Sequence, residues 1–167
     1  MPVALRWSVV SLLGLLGLAG LVQLPLAPPL AMRTGADTDQ VLADLANQEA
    51  DQETAERATQ LLSRFVGGEI TRYFWGGFTG YLDVLGLEPP PDMESTLSEV
   101  PGMVQLLLVP RHGDRRFVAR VQAVDNVPRG VACSGVGEPG RFIHDANLLQ
   151  CPEGWSPLRL SGLPRQR

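Results

Sequence analysis

Apolar residues follow three different rhythms along this chain. The first is an unbroken run. From Trp7 to Met32 there is no charged side chain, and residues 9–22 are the most apolar part, with Arg6 just before them. As a helix, residues 7–24 would extend roughly 27 Å at ~1.5 Å per residue, close to the ~30 Å of a bilayer's hydrocarbon core. Pro25, Pro28 and Pro29 then stop the helix, because proline lacks the amide donor and clashes with the preceding turn. A basic flank before such a run predicts an export signal or a membrane anchor, with the rest of the chain outside the cytoplasm. Cleavage and retention are both open. Ala27 and Ala31 each have a proline two positions earlier, a poor cleavage pattern that favours a retained anchor.

The second rhythm is helical. A stretch starting at Asp37 carries Val41, Leu42 and Leu45, then Ala55, Ala58, Leu61, Leu62, Phe65 and Val66, with few apolar positions between the two groups. This spacing predicts a long amphipathic helix to about Phe65, extending at most to Tyr73, solvated near its start and packed near its end. Asp37, Asp39, Asp44, Glu49, Asp51, Glu53 and Glu56 precede Arg57, Arg64 and Arg72, an order that suits the helix dipole. Those acids read as a solvated face. Gly67 and Gly68 are expected to interrupt the helix.

The third rhythm alternates. Residues 103–109 read as a strand, and residues 116–124 place Phe117, Ala119, Val121 and Ala123 on one face. Gly113 and Asp114 suit a hairpin turn between them, and residues 130–133 suit a third strand. A helix followed by consecutive antiparallel strands predicts an α+β fold, in which a long amphipathic helix packs on a small antiparallel sheet. The expected organisation is an export signal or anchor over 1–31, a linker and solvated helix over 32–60, a globular domain over 61–155, and a flexible tail over 156–167.

Charge narrows the function classes. The formal net charge is −4, and all 14 basic residues are arginine. They are scattered, so no stripe for nucleic acid is expected. The two cysteines, Cys133 and Cys151, read as a disulfide in an oxidising compartment. It would close a glycine-rich C-terminal loop and contribute about 3 kcal/mol in the chain-entropy model. The rival is a metal set of Cys133, Cys151, His112 and His144, whose spacing fits no compact zinc pattern. No metal or cofactor is expected: there is no C-x-x-C-H, P-loop or dinucleotide fingerprint. Neither a nucleophile elbow nor another catalytic constellation is present, and His112, Gly113 and Asp114 read as a solvated hairpin tip. An enzyme is not expected.

Tyr73, Phe74, Trp75, Phe78 and Tyr81 lie among Gly76, Gly77 and Gly80. The favoured reading is a loop whose rings cover the seam between helix and sheet. The alternative is a binding platform made by Tyr73, Trp75, Phe78 and Tyr81.

The segment containing Gly77, Phe78, Leu82, Asp83, Leu85, Gly86 and Leu87, and the sequence Ala132, Cys133, Ser134 near the end, resemble the globular part of type IV pilin-like proteins, particularly those of cyanobacteria. The resemblance covers about residues 61–151. It implies an exported, membrane-anchored or periplasmic structural protein that works through contact with a protein partner. The chain departs from that family before Asp37: nothing there is acidic, and no Gly–Phe pair precedes the apolar run. The alternative function is a secreted small-molecule or glycan-binding module that uses the aromatic surface.

Overall fold

The computed structural model describes residues 35–145 and 148–161. The apolar N-terminal segment, expected as a helical signal or anchor, lies outside the described residues. Among the described residues no helix is long and apolar enough to cross a membrane. The chain divides into two compact units, Met1–Leu45 and Ala46–Arg167. Of the first, only residues 35–45 are described, as the beginning of a helix. The second unit holds the sheet and its packed core.

Helix α1 runs over Gly35–Gly76, longer than its apolar spacing predicts. Gly67 and Gly68 lie within it instead of interrupting it. Each glycine costs a helix about 1 kcal/mol relative to alanine, and tertiary packing on both sides overrides that. Gly68 lets the Leu85 side chain come against the helix, 3.3 Å from where a Cβ would stand. The helix ends where Gly76 and Gly77 take φ of 153° and 107°, and Gly77 N–H donates to the Tyr73 carbonyl.

A 3-10 turn, Asp83–Leu85, leads to strands β1 (Met93–Val100), β2 (Met103–Pro110), β3 (Arg115–Val124) and β4 (Val127–Val136). A small separate hairpin of β5 (Ile143–Asp145) and β6 (Leu148–Gln150) comes next, and then β7 (Ser156–Pro157). The main sheet has five strands in the order β1-β2-β3-β4-β7. Each described pairing is antiparallel. The α+β fold, with one long helix on an antiparallel sheet, is as the spacing predicts. Strand β1 has no counterpart in the predicted elements, because Glu94, Ser95, Thr96, Ser98 and Glu99 leave it without apolar alternation.

The sheet has a core on each face. Toward α1, Ala58, Leu61, Leu62, Phe65 and Val66 pack on Val104, Leu106, Leu108, Phe117, Ala119, Val121 and Ala132. On the other face, Val118 and Cys133 lie under Phe142, Leu149 and Trp155. Phe142 and Leu149 belong to the loop closed by the Cys133–Cys151 disulfide, which carries the β5–β6 hairpin, and Trp155 stands four residues past the bond. Arg120 crosses this layer. Its guanidinium sits 4.0 Å from the Phe142 ring centre and donates twice to Gln105 Oε1, at 3.0 and 2.7 Å.

Two expected boundaries move. Ala55 and Ala58 already pack in the core, so it begins before residue 61. Residues 156–161 are no free tail: β7 pairs with β4, Leu158 N–H donates to the Ala132 carbonyl, and Ser63 Oγ donates to the Ser161 carbonyl. A backbone that satisfies orphan polar groups of an edge strand and a helix stays attached to both.

The helix lies close against the sheet at Gly130, where an added Cβ would collide with Val66 Cγ1. Gly130→Ala is expected to destabilise the fold by about 1–3 kcal/mol, the usual cost of overpacking. A lowered urea midpoint with an unchanged m-value is the readout.

Candidate functional site

The stripe that α1 turns to the core continues through Glu69 to Tyr73, following the i, i+3, i+4 rule. Trp75 lies two residues past Tyr73, about 200° round the helix at ~3.6 residues per turn, so it faces away from the sheet. The candidate rings divide accordingly. Tyr73 is half-buried, its ring 4.9 Å from that of Phe78, and its hydroxyl donates to Asn126 Oδ1 at 3.3 Å. Phe78 packs against the core. By contrast Trp75 is 81% exposed, Phe74 71% and Tyr81 69%.

The rings of Tyr73 and Phe78 therefore cover the seam. Phe74, Trp75 and Tyr81 do not, which corrects the favoured reading for those three. These three rings, at the end of α1 and in the loop just after it, are taken together as an aromatic corner; Val84 and Val100 are also exposed. Three clefts on the unit, of about 370, 490 and 380 Å³, have none of these rings in their walls.

The loop that carries Tyr81 is held by a residue the sequence patterns did not single out. Glu69 is fully buried. Its Oε2 accepts the Thr79 N–H at 3.1 Å, while Oε1 is buried with no hydrogen-bond partner among the described residues. Thr79 Oγ1 in turn accepts the Tyr81 N–H at 3.3 Å. The Glu99 carboxylate presses on the same loop, 2.5 Å from where a Cβ on Gly80 would stand. Burial pushes the Glu69 carboxyl up to about 7; the Thr79 amide and Arg72 oppose this, and Glu99 adds to it. The available signal was position: Glu69 stands on the buried stripe of α1, where a carboxyl needs a dedicated partner.

The other candidates resolve differently. Cys133 and Cys151 are bonded to each other, with Cα atoms 5.8 Å apart, so neither offers a thiolate to His112 or His144. Among the described residues no group of three or more His, Cys, Asp and Glu could hold a metal ion. His112, Gly113 and Asp114 stand exposed in the β2–β3 turn and border a cleft of about 370 Å³ floored by Phe117, with Asp51 and Gln48 across it. No family model, curated protein or solved structure matches the chain.

Glu69 makes stability depend on pH in a defined direction. Its carboxyl titrates near 7 in the fold and in the ordinary range, about 4.3, when unfolded. Between those values the folded chain binds more protons, so stability falls as pH rises. Roughly 1–3 kcal/mol should be lost between about pH 4.5 and 7 at ~1.36 kcal/mol per unit. Denaturation of Glu69→Gln across that range should show this component of the slope removed. An identical slope in the variant would assign the effect to other groups.

Proposed function

We propose that this chain is an exported, type IV pilin-like interaction protein, and that it works by holding another protein against the aromatic corner. The carrying observation is the exposure of Trp75, Phe74 and Tyr81 on one corner. Large rings left in water beside a well-filled core mark contact surfaces, because aromatic anchors are enriched where interfaces lose their water. The disulfide is consistent with an oxidising compartment, which agrees with export by the apolar N-terminal segment and its attachment to a membrane. The motif residues from Gly77 to Leu87 support the pilin-like class. A glycan or small-molecule module has less support, since such sites are concave and none of the three clefts is lined by these rings.

Photocrosslinking tests the reading. The full chain, with benzoylphenylalanine replacing Trp75, is irradiated in the cells that produce it. Discrete protein adducts are expected. Phe74→Ser with Tyr81→Ser should lower their yield about tenfold while the thermal midpoint shifts by no more than roughly 2 °C, as for exposed substitutions. No protein adduct in any fraction, together with sugar-dependent quenching of Trp75 fluorescence in the unmodified chain, would instead establish the glycan alternative.

A further inference from the structure

Strand β1 is an edge whose outer side pairs with no other strand among the described residues. The register shows which backbone groups face outward. Val100 pairs with Met103 across the two-residue turn of Pro101 and Gly102, and Ala123 N–H donates to the Gly102 carbonyl at 2.9 Å. In an antiparallel ladder the direction of these bonds alternates along the strand. Gly102, Val104, Leu106 and Leu108 therefore bond toward β3, and Met103, Gln105, Leu107 and Val109 toward β1. Their partners on β1 are Val100, Ser98, Thr96 and Glu94. The N–H and C=O groups of Ser95, Leu97 and Glu99 consequently point away from the sheet.

Natural edges are usually blunted by charged side chains, lysine above all, by proline, by a bulge or by a covering segment. Met93–Val100 contains neither proline nor lysine, pairs with β2 without a bulge, and exposes Glu94, Ser95, Thr96, Ser98 and Glu99. Only its charge is selective. Glu94 and Glu99 lie on opposite faces of the strand, five positions apart, roughly 17 Å at ~3.4 Å per residue. Neither is in an ion pair among the described residues.

We propose that the β1 edge receives an extended basic segment of a partner protein as an added antiparallel strand, its two cationic side chains five residues apart to meet Glu94 and Glu99. Main-chain bonds to Ser95, Leu97 and Glu99 supply affinity, and the two carboxylates fix the register. A second copy of this chain is the poorer occupant. Its own β1 brings no lysine or arginine to the carboxylates, and the chains carry a net charge of −4 each. The proposal rests on the reading of the chain as a contact protein but uses a different surface from the aromatic corner.

The test is residue-resolved amide exchange on the full chain, with a blocked octapeptide of alternating valine and threonine that has arginine at its second and seventh positions. Exchange at Ser95, Leu97 and Glu99 should slow at least tenfold at low salt, with Thr96 and Ser98 unchanged. Moving the second arginine to the fourth position, or replacing both arginines with glutamate, should abolish the protection. Ser95→Pro removes an outward N–H without touching the β2 ladder, a place where edge strands tolerate proline, and should also abolish it. Glu94→Arg combined with Glu99→Arg should transfer the preference to the glutamate peptide and guards against misfolding of the proline variant. Equal protection by both peptides, or none by either, overturns the proposal. So does concentration-dependent protection without peptide, which would seat a second copy on the edge. Protection at β1 without adducts at position 75 sinks the corner alone, and the reverse result sinks the edge alone.

Discussion

The bond between Cys133 and Cys151 is the constraint on which the architecture turns. A single helix can cover only one face of a five-stranded sheet, and here α1 covers the face built from Val104, Leu106, Phe117, Val121 and Ala132. The other face also carries apolar side chains, Leu107, Val118 and Val131 among them. Without a second layer they would meet water. The covering segment is rich in glycine and, among its described residues, holds only the short β5–β6 hairpin, so its own hydrogen bonding gives it little hold on the sheet. The disulfide fastens it over a sequence separation of 18 residues. Phe142 then lies under the Arg120 guanidinium. Just past the bond, Trp155 packs on Gly135, 2.5 Å from where a Cβ would stand.

The same geometry explains why large rings remain outside. With both faces covered, the core ends where the stripe of α1 ends. Tyr73 is the last ring on that stripe, and Phe78 returns to stack on it. Phe74 and Trp75 fall on the remaining arcs of the helix, beyond anything the sheet can cover. The loop after the helix must double back to reach β1, and the buried Glu69 carboxyl holds it through the Thr79 amide. Tyr81 is thereby fixed in place while its ring stays in water. Exposed rings gathered at one end of the helix are the kind of surface that interfaces use, and this is what supports the proposed contact reading.

Much of the fold was legible in the residues. The packing half of α1 showed its stripe from Ala55 to Val66, β2 and β3 showed their apolar content and alternation, and the two cysteines indicated their bond through compartment and count. The failures have specific causes. Strand β1 is an edge with one side in water, and its Glu, Ser and Thr residues carry no period-2 apolar signal. Gly67 and Gly68 read as a break because propensity is local, whereas the Leu85 contact that uses Gly68 is tertiary. For the candidate site, the cluster of rings was visible but not its division. Extending the stripe by one more turn, to Glu69 and Tyr73, would have placed Trp75 outside and drawn attention to Glu69.

The cystine-bound loop is thus a structural layer of the domain and no appendage to it. Urea unfolding of the full chain, oxidised and then reduced, with amide exchange followed in both states, puts this to the test. Reduction should lower stability by about 3 kcal/mol, and protection should vanish first at Phe142, Ile143, Leu149 and Val118 while the amides of α1 from Leu61 to Val66 keep theirs. The same urea midpoint and the same exchange pattern in both states would show that the loop covers nothing the sheet needs covered.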